Sequence, residues 1–277
     1  MARLSLAAIL AHQRRIHLTR ALIVDVDAQV HDTVPDRLGE VGRTLTFLAM
    51  SCHTVEAWDL LVDLHRLLQW VTDSTDDANL ALLSDAVGCC ALLASGCADE
   101  AVDLALSVHH RAADVDHPTA GYISTAPLII TALRAGRPED GIRWVDRCVA
   151  MHGRLGTGAI GMFIETKANF MAQLGDFPQA ARIYGVAHAA TRRGAIGWPN
   201  RELSRPLLAL TRERLSQADY ERAWQEGERL TPAEIFGAPA PRSDAEPIDQ
   251  PPPPPGSPGS RPTPASAPGG TAVDRPG

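Results

Sequence analysis

The groupings in this chain that resemble metal ligands are His109-His110 with His117, and Cys89-Cys90 with Cys97. A structural zinc site needs donors that close on one point, which Cys-x-x-Cys pairs or a His-Glu-x-x-His frame provide. Neither pattern is present. Cys90 and Cys97 are seven residues apart and would share a helix face, but Gly96 between them is expected to end that helix. Buried thiols and surface imidazoles are therefore expected, with no metal. No serine stands in a Gly-x-Ser-x-Gly elbow, and no cysteine has a local nucleophile signature. Gly153-Arg154-Leu155-Gly156-Thr157-Gly158 lacks the lysine and the preceding strand of a phosphate-cradling loop, so ATP hydrolysis is excluded. Neither catalysis nor a cofactor is expected.

The remaining polar candidates are contacts. His53, Asp59, Asp63 and His65 read as a solvated helix face. Glu165, Lys167 and Asn169 fall in the first helix of the best-formed repeat, where the inner surface of a helical-repeat protein receives its partner; Lys167 is the one lysine of the chain. Trp58, Trp144 and Trp224 lie beside small residues in second helices and are expected to pack between repeats. Trp198, followed by Pro199, interrupts the pattern and is expected to be an exposed partner contact.

These residues need a scaffold. With 277 residues and 45% apolar content the chain can bury a sizeable core, and its 5% aromatic content with Ala and Leu throughout favours helices over sheet. The net charge of −7, with Arg scattered among Asp and Glu, makes no basic stripe, so direct nucleic-acid binding is not expected. The apolar run from Ala86 to Ala98 falls short of the roughly 18 residues a bilayer crossing needs, and no leader cleavage site follows Leu4 to Ala11. A cytoplasmic protein without membrane contact is expected. Its five cysteines, an odd number without framework spacing, are read as reduced.

A short pattern recurs at about forty-residue intervals. Its clearest copy, Leu174-Gly175-Asp176-Phe177-Pro178-Gln179-Ala180, has apolar residues at helical spacing on both sides. Gly175 suits a left-handed helix end, Asp176 a cap, and Pro178 a first turn. Gly96 and Gly136 stand in matching positions, and Ala57, Ala101, Gly141, Ala180 and Ala223 mark five hairpins 44, 40, 39 and 43 residues apart. A small residue recurring there implies two helices crossing closely. Helices are expected over 36–51, 54–71, 77–95, 98–113, 119–135, 138–153, 157–174, 177–192, 200–216 and 218–229, with one or two more over 3–30. The fold class is all-α, an α-solenoid of about five hairpins spanning 1–236. From 237 to 277, with five consecutive prolines at 251–255, the composition is that of a disordered Pro/Gly/Ser-rich tail.

Leu174 to Ala187 resembles a tetratricopeptide repeat, with Gly175, Asp176, Phe177, Ala180, Tyr184 and Ala187 at that family's turn and second-helix positions. The other copies keep only the small and apolar positions, their spacing exceeds the family's, and the proline closing each repeat is missing. The resemblance implies a right-handed superhelix. A second stretch, Leu215 to Glu234 with Ala223-Trp224 and Gly227-x-x-Leu230-Thr231, resembles the end of the helical-repeat region in actinobacterial LuxR-type and signal-transduction ATPase regulators. That implies a non-catalytic regulatory module in transcriptional or signal-transduction control, with an ATPase or transcription regulator as protein partner. The chain departs from those proteins in lacking their ATPase loop and DNA-reading helices. The alternatives are a small-molecule effector sensor and a remnant of a larger ATPase-type regulator.

Overall fold

Alternating apolar and polar faces at helical period, punctuated by Gly and Pro, produce thirteen helices among the described residues and no strand. The computed structural model describes residues 2–31, 33, 35–55, 57–155, 160–193 and 201–236. They are α1 (Ala2–His12), α2 (Ile16–Val30), α3 (Pro35–Thr54), α4 (Trp58–Asp73), α5 (Ala78–Ala94), α6 (Ala98–Asp114), α7 (Pro118–Arg134), α8 (Pro138–Leu155), α9 (Ile160–Gln173), α10 (Phe177–Arg192), α11 (Arg201–Arg214), α12 (Gln217–Arg229) and α13 (Pro232–Phe236). The chain divides into units Met1–Ala240 and Pro241–Gly277, and every described residue lies in the first. The expected tail over 237–277 and Trp198 lie outside the described residues.

One turn is reused along the chain. Gly96, Gly136 and Gly175 take φ of 85°, 63° and 83°, and the amide after each donates to the carbonyl five residues back: Cys97 to Leu92, Arg137 to Ala132, Asp176 to Met171. This 6→1 bond closes a helix end that would otherwise leave carbonyls unpaired. Arg14 (φ 56°) and Asp116 (φ 52°) carry the same turn on residues with a Cβ, which the left-handed region penalises. Arg14→Gly is expected to raise stability by about 0.5 kcal/mol and Gly175→Ala to lower it by about 1 kcal/mol in urea unfolding. Opposite signs would show that these turns do not set the helix ends.

Each helix packs on the next from α3 to α10, and α5 also touches α3 and α7. The apolar stripe of α4, Leu60, Leu61, Leu64, Leu67, Leu68 and Val71, is buried against these neighbours. Surrounded on four sides, α5 buries nearly every position from Leu80 to Ala91, which explains an apolar run without a polar face. The recurring small positions are buried, and at Gly141 an added Cβ would stand 2.0 Å from Cζ of the fully buried Phe170. The last pair departs from a simple hairpin, because α12 takes α10 as its chief neighbour and α11 lies on α9 and α10. Ala181 and Gly185 on α10 meet Ala223 and Gly227 on α12, spaced four apart on each helix. The backbones approach so closely that a Cβ on Gly227 would stand 1.9 Å from the Arg182 carbonyl oxygen.

Candidate functional site

Proline within a helix cannot donate to the carbonyl four residues back. Pro127 lies within α7, so it removes the ordinary donor for Ile123, whose carbonyl instead faces the Cys90 thiol of α5 at 4.0 Å, a weak donor. Beside this break the helices leave a narrow, partly open apolar pocket, lined from α3, α4, α5, α7 and α9. Met50 and His53 come from α3, Val87 and Cys90 from α5, Tyr122 and Ala126 from α7, and Phe163 from α9.

His53 is the unusual member of this lining. Its imidazole meets the Trp58 ring edge-on at 5.2 Å, and its Nε2 is buried without a hydrogen-bond partner. Burial pushes its pKa down to about 4, so the ring is neutral at pH 7. The expected solvated face is thus corrected. His53 ends α3 with a buried nitrogen, while His65 on α4 is held against Gly88, where a Cβ would stand 2.7 Å from its Nε2. Asp59 and Asp63 do face solvent, beside Arg20 and Arg66.

The four buried thiols are not poised for attack. Burial raises Cys52, Cys89 and Cys148 to about 12 and Cys90 further, and Cys148 is engaged by Thr125. Of the clustered histidines, His109 and His110 stay neighbours at 6.3 Å between ring centres and His109 packs on Trp144, while His117 Nδ1 caps α7 by accepting from the Ala120 amide at 3.2 Å. Among the described residues no three His, Cys, Asp or Glu side chains converge as metal ligands.

Of the four expected contact residues, three share α9 without forming a surface site. Asn169 is fully buried: its Nδ2 donates to Ser204 Oγ at 2.8 Å and its Oδ1 accepts from Tyr184 OH at 2.6 Å. It joins α9 to α10 and α11, which corrects its assignment as a partner contact. Burial first, and the Glu165 carboxylate second, hold Tyr184 in its phenol form. Glu165 is half-buried near this link. Lys167 reaches Asp146 at 3.1 Å and the Ile235 carbonyl at 3.5 Å, with its ammonium 4.9 Å from the Phe236 ring centre. Its side chain is 17% exposed, so the lone lysine fastens α13 to α9. Asn169→Ala is expected to lower stability by about 2 kcal/mol by stranding the Tyr184 and Ser204 hydroxyls, whereas the same change in a Tyr184→Phe background, where no phenol is left to strand, costs less. Equal loss in both backgrounds would show that the polar link is not what matters.

Spacing arguments read His53 as part of a solvated face and passed over Pro127. The available signal was a proline inside an apolar helical run, which marks broken backbone pairing. The four described tryptophans do pack on the core, half-buried, and each meets a histidine: Trp58 with His53, Trp70 with His31 at 4.3 Å, Trp144 with His109 and Trp224 with His188. No described helix is long and apolar enough to cross a membrane. Comparison with family models, curated proteins and solved structures finds no match to this chain.

Proposed function

We propose that residues 1–236 form an α-solenoid of about five hairpins, right-handed and tetratricopeptide-like, that acts as a non-catalytic regulatory module and binds a protein partner, an ATPase or a transcription regulator. The observation that supports this reading most directly is the run of helices α3 to α10, each packed on the next, with α3, α5, α7 and α9 contributing to one apolar recess. A scaffold of this kind presents side chains of successive repeats on a common surface. Cys52, Cys89, Cys90 and Cys148, held as thiols by burial, favour binding over nucleophilic chemistry. The full chain, tagged and used as bait in native lysate, is expected to retain one ATPase or transcription regulator that re-forms a defined complex when both proteins are purified and mixed. Retention of nothing above a tag-only control would sink the reading.

A second reading, a small-molecule effector sensor, is favoured by one observation. The recess is lined almost wholly by apolar side chains yet contains a buried imidazole nitrogen without a partner. Stabilisation by a metabolite panel, read as a rise in the unfolding midpoint, tests it.

A further inference from the structure

A buried polar atom without a partner carries a cost that a bound group can remove. His53 Nε2 is such an atom, on a side chain that lines the apolar recess between α3, α5, α7 and α9. Ile123 lines the same recess, and its carbonyl, which loses its ordinary donor at Pro127, faces the Cys90 thiol at 4.0 Å. The site therefore pairs an apolar wall with one buried, unpartnered nitrogen.

We infer that this recess binds a slender, neutral, mainly aliphatic molecule carrying one hydroxyl group, with the hydroxyl bonded to His53 Nε2 and the chain lying along Met50, Val87 and Ala126. The inference rests on the effector-sensor reading and names the chemical class of its ligand.

Three properties of the recess select that class. No charged side chain lines it, so a carboxylate or ammonium would be desolvated without a counter-charge. Its free space is narrow, which suits an alkyl chain better than a ring system, and Met50 at its edge is the side chain best able to re-pack around a guest. A hydroxyl both donates and accepts, so it pairs with neutral imidazole in either tautomer, whereas an ether oxygen or a carbonyl pairs with one only.

The test uses the full chain with 13C-methyl methionine, the Met50 signal being assigned through Met50→Leu. Hexan-1-ol is expected to move that signal saturably, with sodium hexanoate binding at least about tenfold more weakly. His53→Leu is expected to weaken hexan-1-ol by about tenfold, the value of one net hydrogen bond. Ala126→Leu, which fills the recess from its rim, should abolish the shift without lowering the unfolding midpoint. The comparison among probes stands even if His53→Leu does not fold. A Met50 signal that ignores hexan-1-ol, or that responds equally to hexanoate, overturns the inference. If Met50 is silent while the metabolite panel raises the unfolding midpoint, the inference falls and the sensor reading stands; silence in both experiments removes both.

Discussion

Gly227→Ala is expected to lower the stability of the folded chain by about 3 kcal/mol and to loosen α12 from α10. An added Cβ at Gly227 would stand 1.9 Å from the Arg182 carbonyl oxygen and 2.8 Å from its carbon, and at Gly185 a Cβ would stand 2.3 Å from the Trp224 carbonyl oxygen. Both obstacles are main chain, so no rotamer change relieves the overlap and the helices must separate. Separation would also pull apart Arg182 and Glu226, joined at 2.8 and 3.2 Å, and His188 and Glu228 at 3.0 Å. Gly39→Ala is the control. There the nearest atom is the Arg43 guanidinium at 3.6 Å, so the usual helix preference for Ala should raise stability by roughly 0.5–1 kcal/mol. Urea unfolding followed by far-ultraviolet circular dichroism measures both. A loss at Gly227 no larger than the gain at Gly39 would mean that the crossing is not close-packed in solution.

The same crossing shows what the sequence discloses. The expected helices over 98–113 and 177–192 match α6 (Ala98–Asp114) and α10 (Phe177–Arg192) almost residue for residue, because Gly and Asp or Pro punctuate both ends. Gly96, Gly136 and Gly175 take the left-handed conformation for the reason their spacing implied, since no other residue type adopts it without penalty. The small positions were also legible, as Ala180 and Ala223 mark helices that cross closely. Their pairing was not. A repeat pattern treats α11 and α12 as one hairpin, yet the small residues Ala181, Gly185, Ala223 and Gly227 draw α12 onto α10. Local periodicity carries no term for which neighbour a small-residue seam selects.

The stretch Ala223 to Glu234 gains a physical account in the same way. Gly227 is needed at the crossing, Leu230 turns the chain back onto the core, and Thr231 with Glu234 forms a reciprocal cap on α13: the Thr231 amide donates to Glu234 Oε2 at 2.6 Å and the Glu234 amide to Thr231 Oγ1 at 3.4 Å. Lys167 then holds Ile235 and Phe236 from 68 residues away in sequence. Such a contact is invisible to spacing, which is why the lone lysine read as a surface residue. Asn169 misled for a related cause. A polar residue in an inner helix suggests a ligand contact unless its buried partners, here Tyr184 and Ser204, are known.

Lowering the pH from 6.5 towards 4.5 is expected to destabilise the chain, and His53→Leu to flatten most of that slope. The sign follows from where the proton resides. Burial lowers the folded-state pKa of His53 to about 4 from an unfolded value of 6.5, so between those values the unfolded chain binds a proton that the folded chain refuses. Its contribution is intact above pH 6.5 and is lost as the pH falls, reaching roughly 3 kcal/mol near pH 4. His65 and His109 are lowered by burial too and add in the same direction, so the slope in the variant shrinks without vanishing. The carboxylates whose pKa is depressed, Asp219, Glu228 and Glu234, keep their stabilising form above their ordinary values of 3.8 and 4.5. They therefore leave the window between 4.5 and 6.5 to the histidines. Leucine also replaces an unpartnered nitrogen with apolar surface, so the variant should be at least as stable as the parent at pH 7. Urea unfolding at pH 7, 6, 5 and 4.5 on both proteins decides the point. A flat parent profile, or an undiminished slope in the variant, would mean that the His53 nitrogen reaches water, and the recess beside it would then be wet.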